Sequence, residues 1–233
     1  MTEPVCVIIG AGPGNGAAFA RRFAAAGQRV AVCARSLGDL EQLASEIEGA
    51  AAYAYDASQL DAAETVLPRI REELGPISTL IYNAGSAVFG DVDRLDPAQF
   101  QTAWEVNTRG LFLASKQVIP EMRAAGCGNL AVIGATASVK GGASFAAFAS
   151  AKAAQRSLAQ SLARQLGPEQ IHVSYVIIDG VIDIERTRQM LPDRSDEFFM
   201  QPDDIAEAVF FLTRQSRQAW TFELDLRPFG EKW

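Results

Sequence analysis

Residues 5–16 read VCVIIGAGPGNG, and this stretch decides the fold. Val5 to Ile9 is a short apolar run rich in β-branched side chains, the pattern of a strand buried on both faces. Glycines follow at 10, 12, 14 and 16, and then comes AAFARRFAAAG, in which Phe19 and Phe23 fall four apart on one helical face. Strand, glycine turn and helix in succession are what a dinucleotide phosphate site needs. Glycine permits the tight turn and the close approach of a pyrophosphate, and the free N–H groups that open the helix bind its oxygens. Gly10, Gly12, Pro13, Gly14, Asn15 and Gly16 are therefore the expected phosphate cradle.

Outward from this point, strands and helices alternate. Residues 29–34 read as a second buried strand ending at Arg35, and Leu37, Leu40, Leu43 and Ile47 mark a helix. Residues 51–55 form a third strand, ending at Asp56. Ser58 and Asp61 have the spacing of a capping box ahead of a helix through Val66, Leu67, Ile70 and Leu74, in which Pro68 predicts a kink. Residues 79–82 are strand four, closed by Asn83-Ala84-Gly85. Asp96-Pro97-Ala98-Gln99 is a strong helix start and predicts one long helix carrying Phe100, Trp104, Leu111, Val118 and Met122, with Asn107 a polar residue in its middle. Strand five (130–133), a helix (144–165), strand six (171–178), a helix (202–213) and a last strand (221–226) complete the chain.

This alternation predicts an α/β fold: a doubly wound parallel sheet of about seven strands with helices on both faces, one domain over residues 1–233. Ligands in such folds bind beyond the C-terminal strand ends. Gly10, Arg35, Asp56, Asn83, Gly134 and Asp179 all fall there and should line one crevice.

The formal net charge is −7 and no long basic run occurs, which argues against nucleic acid and anionic membranes as partners. Residues 1–4 lack the pattern of a signal peptide, and no apolar stretch has the length to span a bilayer. Cys6, Cys33 and Cys127 are far apart and there is one histidine, so no metal site is expected. The expected compartment is the cytoplasm.

At this point the whole chain resembles a short-chain dehydrogenase/reductase with a Rossmann-type domain. Gly10-x3-Gly14-x-Gly16 matches the glycine motif of that family, with Ile9 in place of the usual threonine. Asp56 matches an acidic residue near the adenine, Asn83-Ala84-Gly85 the turn that supports the cofactor edge, Asn107 the asparagine of the catalytic helix, and Lys152 the lysine of YxxxK. The resemblance implies a small-molecule substrate and a homodimer or homotetramer. It implies that Lys152 binds the nicotinamide ribose, and it adds Ala57, Gly180 and Ile182 to the cofactor contacts.

Three departures qualify this. In the segment 148–152, Phe148 takes the place of the family's catalytic tyrosine; thirteen residues earlier, Ala135 takes that of its serine; and Asp179 precedes Gly180 where the family has proline. A phenyl ring cannot exchange a proton. General acid–base catalysis is worth about 10²–10⁴-fold, roughly 3–5 kcal/mol of barrier. Thr136, Ser138 and Asp179 are the candidate substitutes; the favoured reading of Asp179 alone is nonetheless a hydrogen-bonded turn carboxylate, and that of Lys140 a solvated loop lysine and not a pocket residue. Tyr53, Tyr55, Tyr82 and Tyr175 fall in strands and His172 precedes the apolar body of one, so they are expected to be structural. Arg35 ends strand two, where a guanidinium suits a 2′-phosphate, which favours NADP over NAD. Residues 182–201 should form a covering loop; Met190, Leu191, Phe198, Phe199 and Met200 could be its inner face, joining Phe89, Phe145 and Phe148 around an apolar substrate, or could equally be loop residues packed on the body. Two functions follow: an NADP-dependent oxidoreductase with an altered proton donor or a different reaction such as double-bond reduction, and a non-catalytic dinucleotide-binding protein.

Overall fold

A computed structural model describes residues 3–231. Met1, Thr2, Lys232 and Trp233 lie outside the described residues, and with them the two ends of the expected 1–233 domain.

In chain order the elements are β1 (Val5–Ile9), α1 (Asn15–Ala24), β2 (Arg29–Ala34), α2 (Gly38–Ser45), β3 (Ala50–Ala54), α3 (Ala62–Leu74), β4 (Ile77–Tyr82), α4 (Pro97–Trp104), a π-helical turn (Glu105–Arg109), α5 (Gly110–Ala125), β5 (Gly128–Ala135), α6 (Ala146–Leu166), β6 (Ile171–Ile178), β7 (Val181–Ile182), α7 (Glu185–Met190), β8 (Phe199–Met200), α8 (Pro202–Thr213) and β9 (Glu223–Leu226). Seven strands form one parallel sheet in the order β3-β2-β1-β4-β5-β6-β9, and β7 and β8 pair separately. The expected doubly wound architecture is what forms.

The continuous apolar run of β1 has a simple cause. Val5, Val7 and Ile9 point into a core roofed by α3, α5 and α6, while Cys6 and Ile8 point into a second core under α1, α2 and α8. A central strand with helices on both sides has no solvent face to leave polar. Phe19 and Phe23 bury completely in the second core, as their spacing requires.

The order β2-β1-β4 reverses the direction of winding at β1, so the turn after β1 opens into the crevice between β1 and β4. Asn83 closes that crevice from the β4 side. Its backbone N–H donates to the Ile9 carbonyl (2.8 Å), and its Nδ2 donates to the Gly10 carbonyl (2.8 Å).

Two local expectations are corrected. Ser58 and Asp61 make no capping box: α3 starts at Ala62 without a side-chain cap, and Asp56 Oδ1 takes the backbone N–H (2.9 Å) and hydroxyl (2.8 Å) of Ser58 instead. The carboxylate two residues upstream forms the tighter local turn and leaves Ser58 no donor for the helix. The expected long helix from Asp96 is capped as predicted, with Asp96 accepting from the Ala98 N–H (2.9 Å), but it does not run through as α-helix. It widens into the π turn at 105–109. Tyr82 Oη donates to the Val106 carbonyl (2.5 Å) and Gln155 Nε2 to the Asn107 carbonyl (2.8 Å). Donors inserted from β4 and α6 take carbonyls the α ladder would use, the usual cause of such a turn. α3 continues through Pro68 as one helix.

Candidate active site

The glycine turn is tight because only glycine can make it. Gly10 has φ +93°, and a Cβ there would lie 2.4 Å from the Ala84 backbone nitrogen. Gly14, also at φ +93°, would place a Cβ 2.5 Å from the Ile184 Cγ2 methyl. Both positions bring the turn into contact with a neighbouring segment that any side chain would push away. α1 begins immediately after, at Asn15, with no side-chain cap; its Ala17 and Ala18 N–H groups bond the Gly12 and Gly14 carbonyls (3.0 Å each), and Asn15 borders the cleft.

Two connected clefts follow. One, of about 470 Å³, is lined by Gly10, Gly12, Arg35, Asp56, Ala57 and Asn83 among others. The other, of about 560 Å³, shares Asn83, Gly85 and Ala87 with it and continues past Pro13 and Asn15 to Ala135, Thr136, Phe148, Lys152, Gly180 and Ile182. Of the strand ends named from the sequence, Gly10, Arg35, Asp56, Asn83 and Gly134 line these clefts, whereas Asp179 lines neither. Gly16 is buried beneath the turn and lines neither cleft.

At the first cleft Arg35 is exposed on the rim. Burial pushes Asp56 upward, but the Ser58 hydrogen bonds and the Arg35 charge outweigh it and hold the carboxyl below its ordinary value. It therefore stays ionised.

At the second cleft the polar groups are few. Lys152 is 5% exposed, and its Nζ donates to the Ile133 carbonyl (2.9 Å) and to Gln155 Oε1 (3.0 Å). Burial lowers its ammonium from 10.5 to about 7. Asn107 is fully buried in the π turn. Its Nδ2 donates to the carbonyls of Ser86 (3.0 Å) and Ala103 (2.8 Å), and its Oδ1 has no protein partner. Lys152 Nζ and Asn107 Oδ1 both lie beside Gly85, 3.8 and 3.5 Å from where a Cβ of that residue would be.

The three candidate substitutes separate. Thr136 lines the cleft, and its hydroxyl donates to Asp179 Oδ1. Asp179 Oδ2 is 3.3 Å from Arg227 Nη2. Ser138 turns away: it is buried and donates to the Ala135 carbonyl at 2.5 Å, so the expectation that it could face the substrate is corrected. The 3-10 turn at 136–138 causes this, because it rotates the third residue back toward the strand. Lys140 is exposed beyond that turn.

The apolar wall differs from expectation. Phe89, Phe145 and Phe148 do line the cleft, with edge-on contacts of 4.8 Å (Phe89–Phe145) and 5.5 Å (Phe89–Phe148) between ring centroids. From the covering segment, however, it is Ile182, Ile184 and Thr187 that reach the cleft. Met190, Leu191, Phe198, Phe199 and Met200 do not. Phe199 and Met200 are buried in β8, Met190 is 66% exposed, and Phe198 packs edge-on against Phe199. The segment is held in this pose by Arg188, which donates to both Asp183 oxygens (2.6 Å each) and to Asp196 (2.6 Å) and lies over the Phe199 ring.

Gln155 and Tyr175 are contacts the sequence reading missed. Tyr175 is buried as expected, but its ring fills the space above Gly134, where a Cβ would lie 2.6 Å from the hydroxyl, and that hydroxyl is 3.4 Å from Gln155 Oε1. A polar residue on the buried α6 stripe Lys152-Gln155-Ala159-Leu162-Leu166 was the available signal. His172 is structural, stacked on Trp220 with ring centroids 4.8 Å apart.

A seven-stranded parallel sheet with a glycine turn, an Asn83 lock and a buried lysine beside one cleft is the frame of a short-chain dehydrogenase. The sequence model of that family, "short chain dehydrogenase", matches residues 4–194, and the chain belongs to it. It is 33% identical over 209 residues to the inactive 2-(S)-hydroxypropyl-CoM dehydrogenase 2 of Xanthobacter autotrophicus, covering 83% of this chain and 90% of that protein. A short-chain dehydrogenase from Rhodopseudomonas palustris superposes with a TM-score of 0.84 at 33% identity, over 97% of this chain and 99% of that one. A metagenomic short-chain oxidoreductase solved in complex with NADP gives 0.85 at 29% identity, over 99% of both chains. Among the described residues no helix is long and apolar enough to cross a membrane, and no group of acidic, histidine and cysteine side chains could hold a metal.

Proposed function

We propose that this protein is an NADP(H)-dependent oxidoreductase of one domain that acts on a small to medium apolar carbonyl, alcohol or enone, with Phe148 and Ala135 standing where the family's proton-handling tyrosine and serine would be. The observation that carries this reading is the continuity of the surface from Arg35, past the glycine turn, to Lys152 and the three phenylalanines. The cradle fits the dinucleotide: Gly12 lines the cleft with open space where a side chain would stand, Gly10 and Gly14 set the turn against its neighbours, and the start of α1 has no side-chain cap to compete with a pyrophosphate. The NADP complex of the metagenomic relative supports the same choice of cofactor.

Bound there, NADPH supplies a hydride. The chain's own residues then have distinct tasks. Arg35 holds the 2′-phosphate and Asp56 fixes the adenosine end of the crevice. As the ammonium, Lys152 commits two N–H groups to protein acceptors and has one left for the ribose hydroxyls. Thr136 donates to Asp179 and so offers lone pairs to the cleft; in the alcohol-oxidising direction, with hydride passing to bound NADP+, it would take the alcohol proton while its own passes to that carboxylate, and in reduction the relay would run in reverse and deliver a proton to the substrate oxygen. Phe89, Phe145 and Phe148 exclude water and select an apolar body. We infer a cytoplasmic homodimer or homotetramer from the family.

A second reading, dinucleotide binding without turnover, draws support from Asp179, which pairs with Arg227, takes the Thr136 hydroxyl and lines neither cleft. It also draws on the relative named as inactive. A titration with NADPH and NADH beside a panel of ketones, diketones and enones separates the two. Tight NADPH binding with turnover supports the first, and binding with no turnover supports the second. No binding of either cofactor at millimolar concentration overturns both.

A further inference from the structure

Gln155 makes more contacts to the site than any sequence motif suggests. It is fully buried on α6, one turn after Lys152. Its Nε2 donates to the Asn107 carbonyl at 2.8 Å, and its Oε1 accepts from Lys152 Nζ at 3.0 Å and lies 3.4 Å from the Tyr175 hydroxyl. One neutral amide thus spans the π turn and the amine. The Asn107 carbonyl is free to take this donor because the turn widens there.

We infer that Gln155 is the positioning residue of Lys152: it ties the amine to the π turn, so that the remaining N–H points to the cleft floor at Gly85. The surroundings assign this task to an amide and not to a charge. The groups packed on the amine are the Ile133 carbonyl of β5, the Asn107 amide of the π turn, Gly85 and, through Gln155, the Tyr175 hydroxyl of β6. Among the described residues no carboxylate pairs with Lys152, and burial alone shifts its titration. Tyr175 is itself held neutral by burial, so it brings no charge. A glutamine can accept from the ammonium and from the free amine only by turning its own donor elsewhere, and here the Asn107 carbonyl holds that donor in place. The amine is therefore fixed in direction while its charge is left to be decided by burial. A glutamate at 155 would fix the charge instead, and a methionine would fix neither.

The inference rests on the cofactor reading for what Lys152 touches, but its test does not. The Lys152 ε-carbon can be followed by NMR through a pH titration of the cofactor-free protein, in wild type, Gln155→Glu and Gln155→Met, with circular dichroism as the check on folding. The expected order of midpoints is Gln155→Met lowest, wild type next and Gln155→Glu highest, with the glutamate variant at least one pH unit above wild type. Because Gln155→Met keeps the length of the side chain and removes only its polar atoms, it serves where the glutamate variant fails to fold. NADPH affinity measured across the same pH range should follow the midpoints, with the steepest change displaced in parallel. Equal Lys152 midpoints in wild type and a folded variant would overturn the inference. A displaced midpoint with no NADPH binding by wild type would overturn the cofactor reading while leaving the clamp established.

Discussion

Replacing Lys152 by methionine turns the burial of its amine into a measurable slope. In the folded chain burial lowers the ammonium from 10.5 to about 7, and unfolding restores the higher value. Between these limits the unfolded state binds more protons than the native one, so native stability rises with pH in that window. The cost of burying a charged amine is fully present below pH 7 and is relieved as pH climbs toward 10.5. From pH 7 to pH 9 the excess averages about 0.8 proton per pH unit, which at about 1.36 kcal/mol per unit comes to about 2 kcal/mol. Lys152→Met has no such contribution. Burial also raises the Cys6 and Cys33 thiols, which opposes the trend near pH 9, but both proteins share them and the difference cancels it. The assay is urea unfolding of the cofactor-free proteins at pH 7, 8 and 9. Wild type should gain about 2 kcal/mol relative to Lys152→Met over that range, whatever the absolute offset from the lost hydrogen bonds. A difference that stays flat would refute the reasoning, since it would mean that the amine is solvated in the native protein.

Three further outcomes are expected. Arg35→Asp should weaken NADPH by about 1.5–3 kcal/mol, the range for hydrogen bonds to charged groups, and NADH far less; equal losses in calorimetry would remove Arg35 from cofactor choice. Phe148→Tyr with Ala135→Ser should raise ketone reduction by about 10²-fold with NADPH affinity unchanged, and Phe148→Tyr alone should give part of that gain; no gain on any carbonyl would favour binding without turnover. Gly14→Ala should cost about 1–3 kcal/mol in unfolding free energy, because φ +93° with ψ −131° is a glycine conformation and the new methyl meets Ile184. Adding Ile184→Ala should recover the steric part and leave the backbone part, and full recovery would show that the dihedral angle costs nothing.

The sheet was legible because a parallel strand has nowhere to place a polar residue. Val5 to Ile9 is apolar along its whole length, as is 30–34 after Arg29, and 171–178 is apolar but for His172 and Ser174 and the Tyr175 hydroxyl. The cofactor crevice was legible for the same reason, since it is made by strand ends. What could not be read were contacts that join elements distant in sequence. The π turn depends on Tyr82 and Gln155, one 25 residues before Asn107 and the other 48 after it by number, and nothing in the local helical pattern signals an inserted donor. The covering segment stayed ambiguous in the sequence because apolar residues at 198–200 fit a pocket wall and a packed segment equally well; the pairing of Val181 with Phe199 and Ile182 with Met200 decides for a buried strand. Ser138 was misplaced because a three-residue 3-10 turn changes which hydroxyl faces out, and short turns leave little periodicity to read.

These facts bear on why a site could keep its cofactor half and change its chemistry. The cradle is made of backbone: the Gly10 and Gly14 dihedrals, the start of α1 and the Asn83 lock do not involve residues 135 or 148. Phenylalanine has the shape of tyrosine without the hydroxyl, and Phe148 settles against Phe89 with no polar group left unpaired. Alanine for serine removes one oxygen from a cleft wall that Thr136 still supplies with a hydroxyl. A lysine beside a phenol would be held partly by that phenol, whereas here Ile133 and Gln155 hold it without help from residue 148. On the proposed reading, proton handling and cofactor binding are therefore separable in this chain. The consequence is specific: variants at 135 and 148 should move kcat and leave NADPH affinity alone, while variants at 155 should move the pH dependence of that affinity and leave the preference for NADPH over NADH to Arg35.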